Sequence, residues 1–191
     1  AAAALLIASE EITSALFGYG SFDINSVKNS ARALFYFALG LPAFALIKVF
    51  SSFLFARHNT KTPFHFSILS VLLNISLSIY YFNQIGFIII PIATTISSWF
   101  NTLLLLSYLL WKNYFSFYKN FLINFLNIIC VSSFSSYIFF KLIQNFKEYL
   151  IYESELKLLT IVFLVIITFL IYIITSIFTK AFKISDIKLK Y

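Results

Sequence analysis

Lys48 is the basic residue that lies well inside an apolar run, the stretch 33–55. An ion near the middle of a bilayer costs about 2.5–3.5 kcal/mol on insertion scales, so such a residue marks a candidate path for charge or substrate. Its stem could equally snorkel toward the interface near Phe55. Pro42 lies just upstream, in Gly40-Leu41-Pro42. A proline removes a backbone donor and crowds the preceding turn, so a bend is expected there, and again at Pro91. Transporters use bent helices to bare backbone at a cavity. Asn74 and Ser78, spaced i and i+4, share a helix face, and Thr94, Thr95, Ser97, Ser98 and Asn101 form a second polar stretch. Oxygens on two facing helices suit a monovalent cation such as sodium. The same groups could instead join helices by hydrogen bonds worth about 0.6 kcal/mol each.

Other chemistry is thin. His58 and His65 flank the loop 57–63 with no further Cys/His pattern, so no metal site is expected. Cys130, the single cysteine, sits in an apolar run and reads as a small hydrophobe. There is no Ser/His/Asp arrangement, no pair of intramembrane acids and no glycine-rich phosphate cradle. The chain is therefore not expected to be an enzyme. The 14 Lys/Arg against 7 Asp/Glu give a net charge of +7, scattered through short joints without the basic-aromatic runs of a nucleic-acid surface.

The elements that position these residues are membrane helices. Apolar residues make up 61% of the chain and charged ones 11%, with mean hydropathy +0.91. Soluble domains carry about 25% charged residues. A bilayer crossing needs about 20 apolar residues. Five segments meet this: 33–55, 64–82, 85–111, 121–143 and 156–179. A sixth, 1–17, is short and interrupted by Glu10 and Glu11, and reads as the end of a clipped helix. The fold class is thus all-α, a polytopic transmembrane bundle of five full spans and one partial.

The joints have their own chemistry. Gly18 to Asp23 is a turn, with Asp23 and Ser26 as helix caps. Thr62-Pro63 starts a helix, Asn83-Gln84-Ile85-Gly86 is a tight hairpin, and 113–120 is an aromatic interfacial loop. Alternate joints divide the cations. One set holds Arg57, Lys61, Lys112, Lys119, Lys180, Lys183, Lys188 and Lys190. The other holds Lys28, Arg32, Lys141, Lys147 and Lys157, with most of the acids. Positive-inside bias then places the first set, and the C-terminus, in the cytoplasm.

Several of these pieces resemble one family. Leu16-Phe17-Gly18-Tyr19-Gly20-Ser21-Phe22 is similar to a helix junction of MurJ/MviN-type lipid II flippases. So are Gly40-Leu41-Pro42-Ala43-Phe44, Lys48-Val49, Phe55-Ala56-Arg57 and Thr60-Lys61-Thr62-Pro63, in that order and spacing. The likeness runs from about Glu10 to Asn101, and beyond Lys112 it is one of hydropathy and helix count. It implies the C-terminal part of a fourteen-helix fold of the multidrug/oligosaccharidyl-lipid/polysaccharide exporter superfamily. Residues 1–111 would end the transporter lobe. Residues 112–191 would be two extra helices, which groove the lipid tail, and a cytoplasmic tail.

The implied function is export of a lipid-linked peptidoglycan precursor by alternating access across the bacterial inner membrane. The implied partners are the bilayer, that lipid-linked oligosaccharide and the remainder of the same protein. The arginines that grip pyrophosphate in the family lie mainly in helices outside this sequence. Pro42, Lys48, Arg57 and Lys61 remain as substrate or gating candidates. No cofactor is implied beyond a sodium ion or coupling to membrane potential. Some members bind sodium in this lobe, where Asn74 and Thr94 occupy plausible positions for it and Ser78 stands where an acid would help most. His58-Asn59 also departs from the family's usual acid-bearing loop. The alternatives are a related exporter of another lipid-linked oligosaccharide or drug, and a non-transporting membrane scaffold.

Overall fold

The computed structural model describes residues 1–115 and 119–179. The tail cations Lys180, Lys183, Lys188 and Lys190 and part of the loop 113–120 lie outside them. Seven α-helices occur among the described residues: α1 (Ala2–Ile7), α2 (Ser9–Phe17), α3 (Ile24–Ala56), α4 (Lys61–Ile85), α5 (Ile89–Trp111), α6 (Lys119–Asn145) and α7 (Lys157–Phe178). Short 3-10 turns at Gly86–Ile88 and Lys147–Leu150 join α4 to α5 and precede α7.

Four stretches are long and apolar enough to cross a membrane: Ile24–Ala56, Lys61–Trp111, Leu122–Asn145 and Lys157–Phe178. The second is 51 residues, about twice what one crossing needs. It doubles back at Gly86, whose φ of 71° and ψ of −152° are open essentially to glycine alone. Tyr108 then faces Asn59 and Thr94 faces Asn74, so α4 and α5 run antiparallel. The fold therefore supplies the five crossing segments read from the sequence.

The helices begin and end for local reasons. Asp23 caps α3, its Oδ1 accepting from the Ser26 N–H at 2.8 Å. The Ser26 hydroxyl and N–H hold the Asp23 carboxyl below its ordinary value. This cap is therefore full at neutral pH and fades only as pH falls through that lowered value. α3 ends in a Schellman turn: Asn59 N–H reaches Leu54 O at 3.0 Å and His58 N–H reaches Phe55 O at 2.9 Å. His58 takes the left-handed position, φ 58°, and Asn113 does the same after α5, φ 55°. A β-carbon there costs about 1–2 kcal/mol, less for Asn. We expect His58→Gly to raise stability by about 1 kcal/mol, read as a higher unfolding midpoint of the full-length protein in detergent.

Pro63 and Pro91 both sit in the first turn of their helices, α4 and α5. The expectation of a bend at Pro91 is corrected here. α5 starts at Ile89, so the donor that Pro91 lacks is one that no helical turn would have used. Pro42 does lie inside a helix, and α3 runs on through it to Ala56.

The chain packs as two compact units. Among the described residues, one comprises residues 3–31 with 119–179, and the other residues 32–115. Residues 3–31 pack with α6 and α7. In that first unit α6 buries Val131, Ser135, Phe139 and Ile143, four positions on one helical stripe. α7 answers with Lys157, Ile161 and Leu164. Ala8, Ala15 and Leu150 complete the core. In the second unit Leu54, Leu105 and Leu109 form the core. The outer faces are apolar (Ile79, Phe169 and Phe178 are among the most exposed), as suits helices solvated by lipid or by further helices.

Candidate functional site

The second unit carries the polar site. α5 lies along α3 through side chains that donate to α3 carbonyls. Thr95 Oγ1 reaches Tyr36 O at 2.7 Å, Trp99 Nε1 reaches Leu39 O at 3.1 Å and Thr102 Oγ1 reaches Ala43 O at 3.2 Å. The spacing of donors and acceptors rises together, so these two helices run parallel. The carbonyls bracket Pro42, where the α3 ladder is missing a donor. Gly40 makes the approach possible: a β-carbon there would sit 2.9 Å from Thr95 Oγ1.

The neighbouring face of α5 closes on α4. Asn74 Nδ2 donates to Thr94 Oγ1 at 3.1 Å and to Ser97 Oγ at 3.3 Å. Ser67, Ser70, Asn74, Thr94, Ser97, Ser98 and Asn101, with Ile47 and Val71, line a cleft of ≈ 290 Å³. Ser70 Oγ and Asn101 Oδ1 are buried there without a partner. Such orphans cost about 1–3 kcal/mol each, and they mark a place that water or a ligand satisfies. Replacing Asn74 by Leu removes both α4–α5 bonds. We expect a loss of about 1 kcal/mol, measured by unfolding in detergent.

The loop after α3 is held rather than free. Asn59 Nδ2 donates to Tyr108 Oη at 3.1 Å, while Asn59 Oδ1 accepts from the Thr62 N–H at 3.2 Å. The Arg57 guanidinium lies 4.1 Å from the Tyr114 ring centre and 4.9 Å from that of Phe53.

The first unit contains a site of another kind. Lys157 is 2% exposed. Its ammonium donates to Gly18 O at 2.6 Å and Tyr152 O at 2.7 Å, and lies 4.2 Å from the Tyr19 ring and 4.6 Å from the Tyr152 ring. Tyr152 Oη in turn donates to Phe22 O at 2.8 Å. A cation in the first turn of α7 opposes that helix's dipole. Carbonyls and ring faces, rather than a carboxylate, offset its cost. The group ties the turn between α2 and α3 to the start of α7.

The family profile described as "Lipid II flippase MurJ" matches residues 1–161. The chain belongs to the MurJ family. A "Probable lipid II flippase MurJ" of Rhizobium meliloti (strain 1021) is 41% identical over 114 residues, 60% of this chain and 21% of that protein. The one of Rickettsia prowazekii (strain Madrid E) is 35% identical over 104 residues, 54% and 20% of the two chains. The chain spans about a fifth of the length of these relatives. A solved structure titled "Lipid II flippase MurJ, inward closed conformation" superposes with a TM-score of 0.71 at 24% identity. That match covers 94% of this chain and 35% of that one, and it shows that the fold is shared.

Within this MurJ-family chain the sequence-based candidates separate. Asn74 and Thr94 meet. Ser78, one turn further along α4, lies outside the cleft lining. Lys48 and Pro42 are exposed on α3 and are not among the residues lining the cleft, although Ile47 is, and Arg57 and Lys61 are exposed near the α3–α4 loop. The polar stretch on α5 serves two neighbours: Thr95 and Thr102 face α3, whereas Thr94, Ser97, Ser98 and Asn101 face the cleft. The sequence reading missed Ser67 and Ser70, whose spacing with Asn74 (three, then four residues) was a legible face signal. It also treated Lys157 as a charge at an outer joint. Among the described residues no group of three His, Cys, Asp or Glu could hold a metal ion.

Proposed function

We propose that this chain is part of a lipid II flippase of the bacterial inner membrane, with its C-terminus in the cytoplasm. The family match over residues 1–161 is the observation that carries the reading. In this account the protein is a transporter rather than an enzyme. It moves a lipid-linked peptidoglycan precursor between leaflets by alternating access.

The geometry supports a division of labour. Helices α3 and α5, tied by three donor–carbonyl bonds and the Gly40 contact, move as one body. A rocking lobe needs such rigid pairs, because bistable motion comes from packed elements that do not deform. Lys157 fixes the outset of α7, so that α6 and α7 keep their place beside the α2–α3 turn.

The cleft is the place for a coupling ion. Its neutral oxygens, two of them unpartnered, suit a monovalent cation by chemical type. Asn74, Thr94, Ser70 and Asn101 would hold it. No carboxylate lines the cleft to balance the charge, so coupling through membrane potential is the competing account.

The test is complementation of a flippase-depleted bacterium by the full-length gene. Restored growth and shape supports the proposal. Failure despite normal membrane expression contradicts it and favours a related exporter or a scaffold.

A further inference from the structure

We propose that Arg57, Lys61 and Lys112 form a binding site for the phosphate of an anionic phospholipid headgroup. The argument begins with charge. The acids of this chain are Glu10, Glu11, Asp23, Glu148, Glu153, Glu155 and Asp186. The unit of residues 32–116 therefore holds no acid at all, against Arg32, Lys48, Arg57, Lys61 and Lys112. Three of these five cations gather where α3 and α5 end and α4 begins. Nothing within the unit can neutralise them.

The geometry adds order to the charge. Asn59 and Tyr108 pin the α3–α4 loop to the last turn of α5. Two Schellman turns bring Arg57 and Lys112 to the ends of their helices. Arg57 is stacked against Tyr114 and Phe53, and Lys112 Nζ lies 4.3 Å from the Trp111 ring centre. Two rings against it restrain the guanidinium, and its N–H donors can meet a phosphate in the bidentate manner that a point charge cannot. All three cations are exposed.

The surroundings select a lipid over a free anion. Trp111 is 73% exposed, Phe64 62% and Phe55 49%. Trp111, an amphipathic ring at the end of an apolar helix, belongs at a headgroup layer, and the two phenylalanines add apolar surface. A lipid there satisfies both parts, with acyl chains on the rings and phosphate on the cations. Each cation near an anionic surface contributes about a fivefold gain in affinity.

This proposal goes beyond transport and is tested apart from it. Full-length protein in detergent is titrated with phosphatidylglycerol or phosphatidylcholine, and retained lipids are counted by native mass spectrometry. Phosphatidylglycerol should bind the more tightly. Lys61→Gln with Lys112→Gln should weaken it about 25-fold, and adding Arg57→Gln about 100-fold. Tyr114→Leu keeps the charge but frees the guanidinium, and should weaken binding by a smaller factor without lowering the unfolding midpoint. Lys28→Gln with Arg32→Gln should change nothing. Equal affinity for the two lipids overturns the proposal. So does unchanged phosphatidylglycerol binding by the triple variant. Displacement of the lipid by millimolar inorganic phosphate would show a site for free anion and overturn the lipid assignment. Flipping is not measured, so none of these outcomes bears on the transport reading.

Discussion

Replacing Lys157 by Met should lower the stability of the full-length protein by about 2–4 kcal/mol. Met matches the stem of lysine but donates nothing. The carbonyls of Gly18 and Tyr152 then lose donors at 2.6 and 2.7 Å. A buried acceptor left alone costs about 1–3 kcal/mol, and release from burying an ammonium returns part of that. Lys157→Arg should recover about half the loss, because a guanidinium still donates and still stacks on Tyr19 and Tyr152.

Gly18→Ala should damage the same latch by another route. Its β-carbon would lie 2.6 Å from Ser14 O and 3.1 Å from Tyr152 Cε2. The two changes share partners, so the double variant should be less unstable than the sum of the singles. Unfolding in detergent gives the midpoints. Hydrogen exchange at residues 18–22 locates the damage. Full stability of Lys157→Met would show that the ammonium is dispensable to this turn.

The second large effect is expected at Gly40. Leucine there meets Thr95 and Phe44, and overpacking of this kind costs about 1–3 kcal/mol. Alanine is the more informative change. In a helix interior it gains up to about 1 kcal/mol over glycine. At Gly40 its methyl meets Thr95 Oγ1 at 2.9 Å, an atom pinned by its bond to Tyr36 O. Gly40→Ala should therefore destabilise when made alone. Made in a Thr95→Ala background it should stabilise. The change of sign separates close approach from a general intolerance of substitution in α3. If alanine stabilises in both backgrounds, α5 does not press on α3 at Gly40.

Hydropathy made the spans legible, because lipid demands about 20 apolar residues whatever the partners are. Gly86 and Pro63 were legible for local reasons: one must reverse the chain and the other must start a helix. Pro91 was not, since the sequence could not show that α5 begins only two residues before it. The cleft was half legible. Asn74 and Thr94 carried the signal, but which face of α5 serves α3 and which serves α4 depends on the parallel and antiparallel packing of its neighbours. Lys157 gave no signal. Its partners are 5 and 139 positions away, and a lysine beside Glu153 and Glu155 reads as a solvated charge. Lys48 gave a strong signal, and it is exposed on α3 and outside the cleft lining, next to Ile47, which is part of that lining.

The proposed function makes this chain part of a protein that moves a lipid-linked peptidoglycan precursor across a bilayer. The most direct measurement reconstitutes the full-length protein in liposomes holding labelled lipid II in one leaflet. A membrane-impermeant reagent then reports the label that reaches the other leaflet. The account predicts transfer well above protein-free liposomes, and unchanged distribution of a labelled phospholipid in the same vesicles. Transfer no faster than in protein-free liposomes, from protein that is folded and fully inserted, would contradict it.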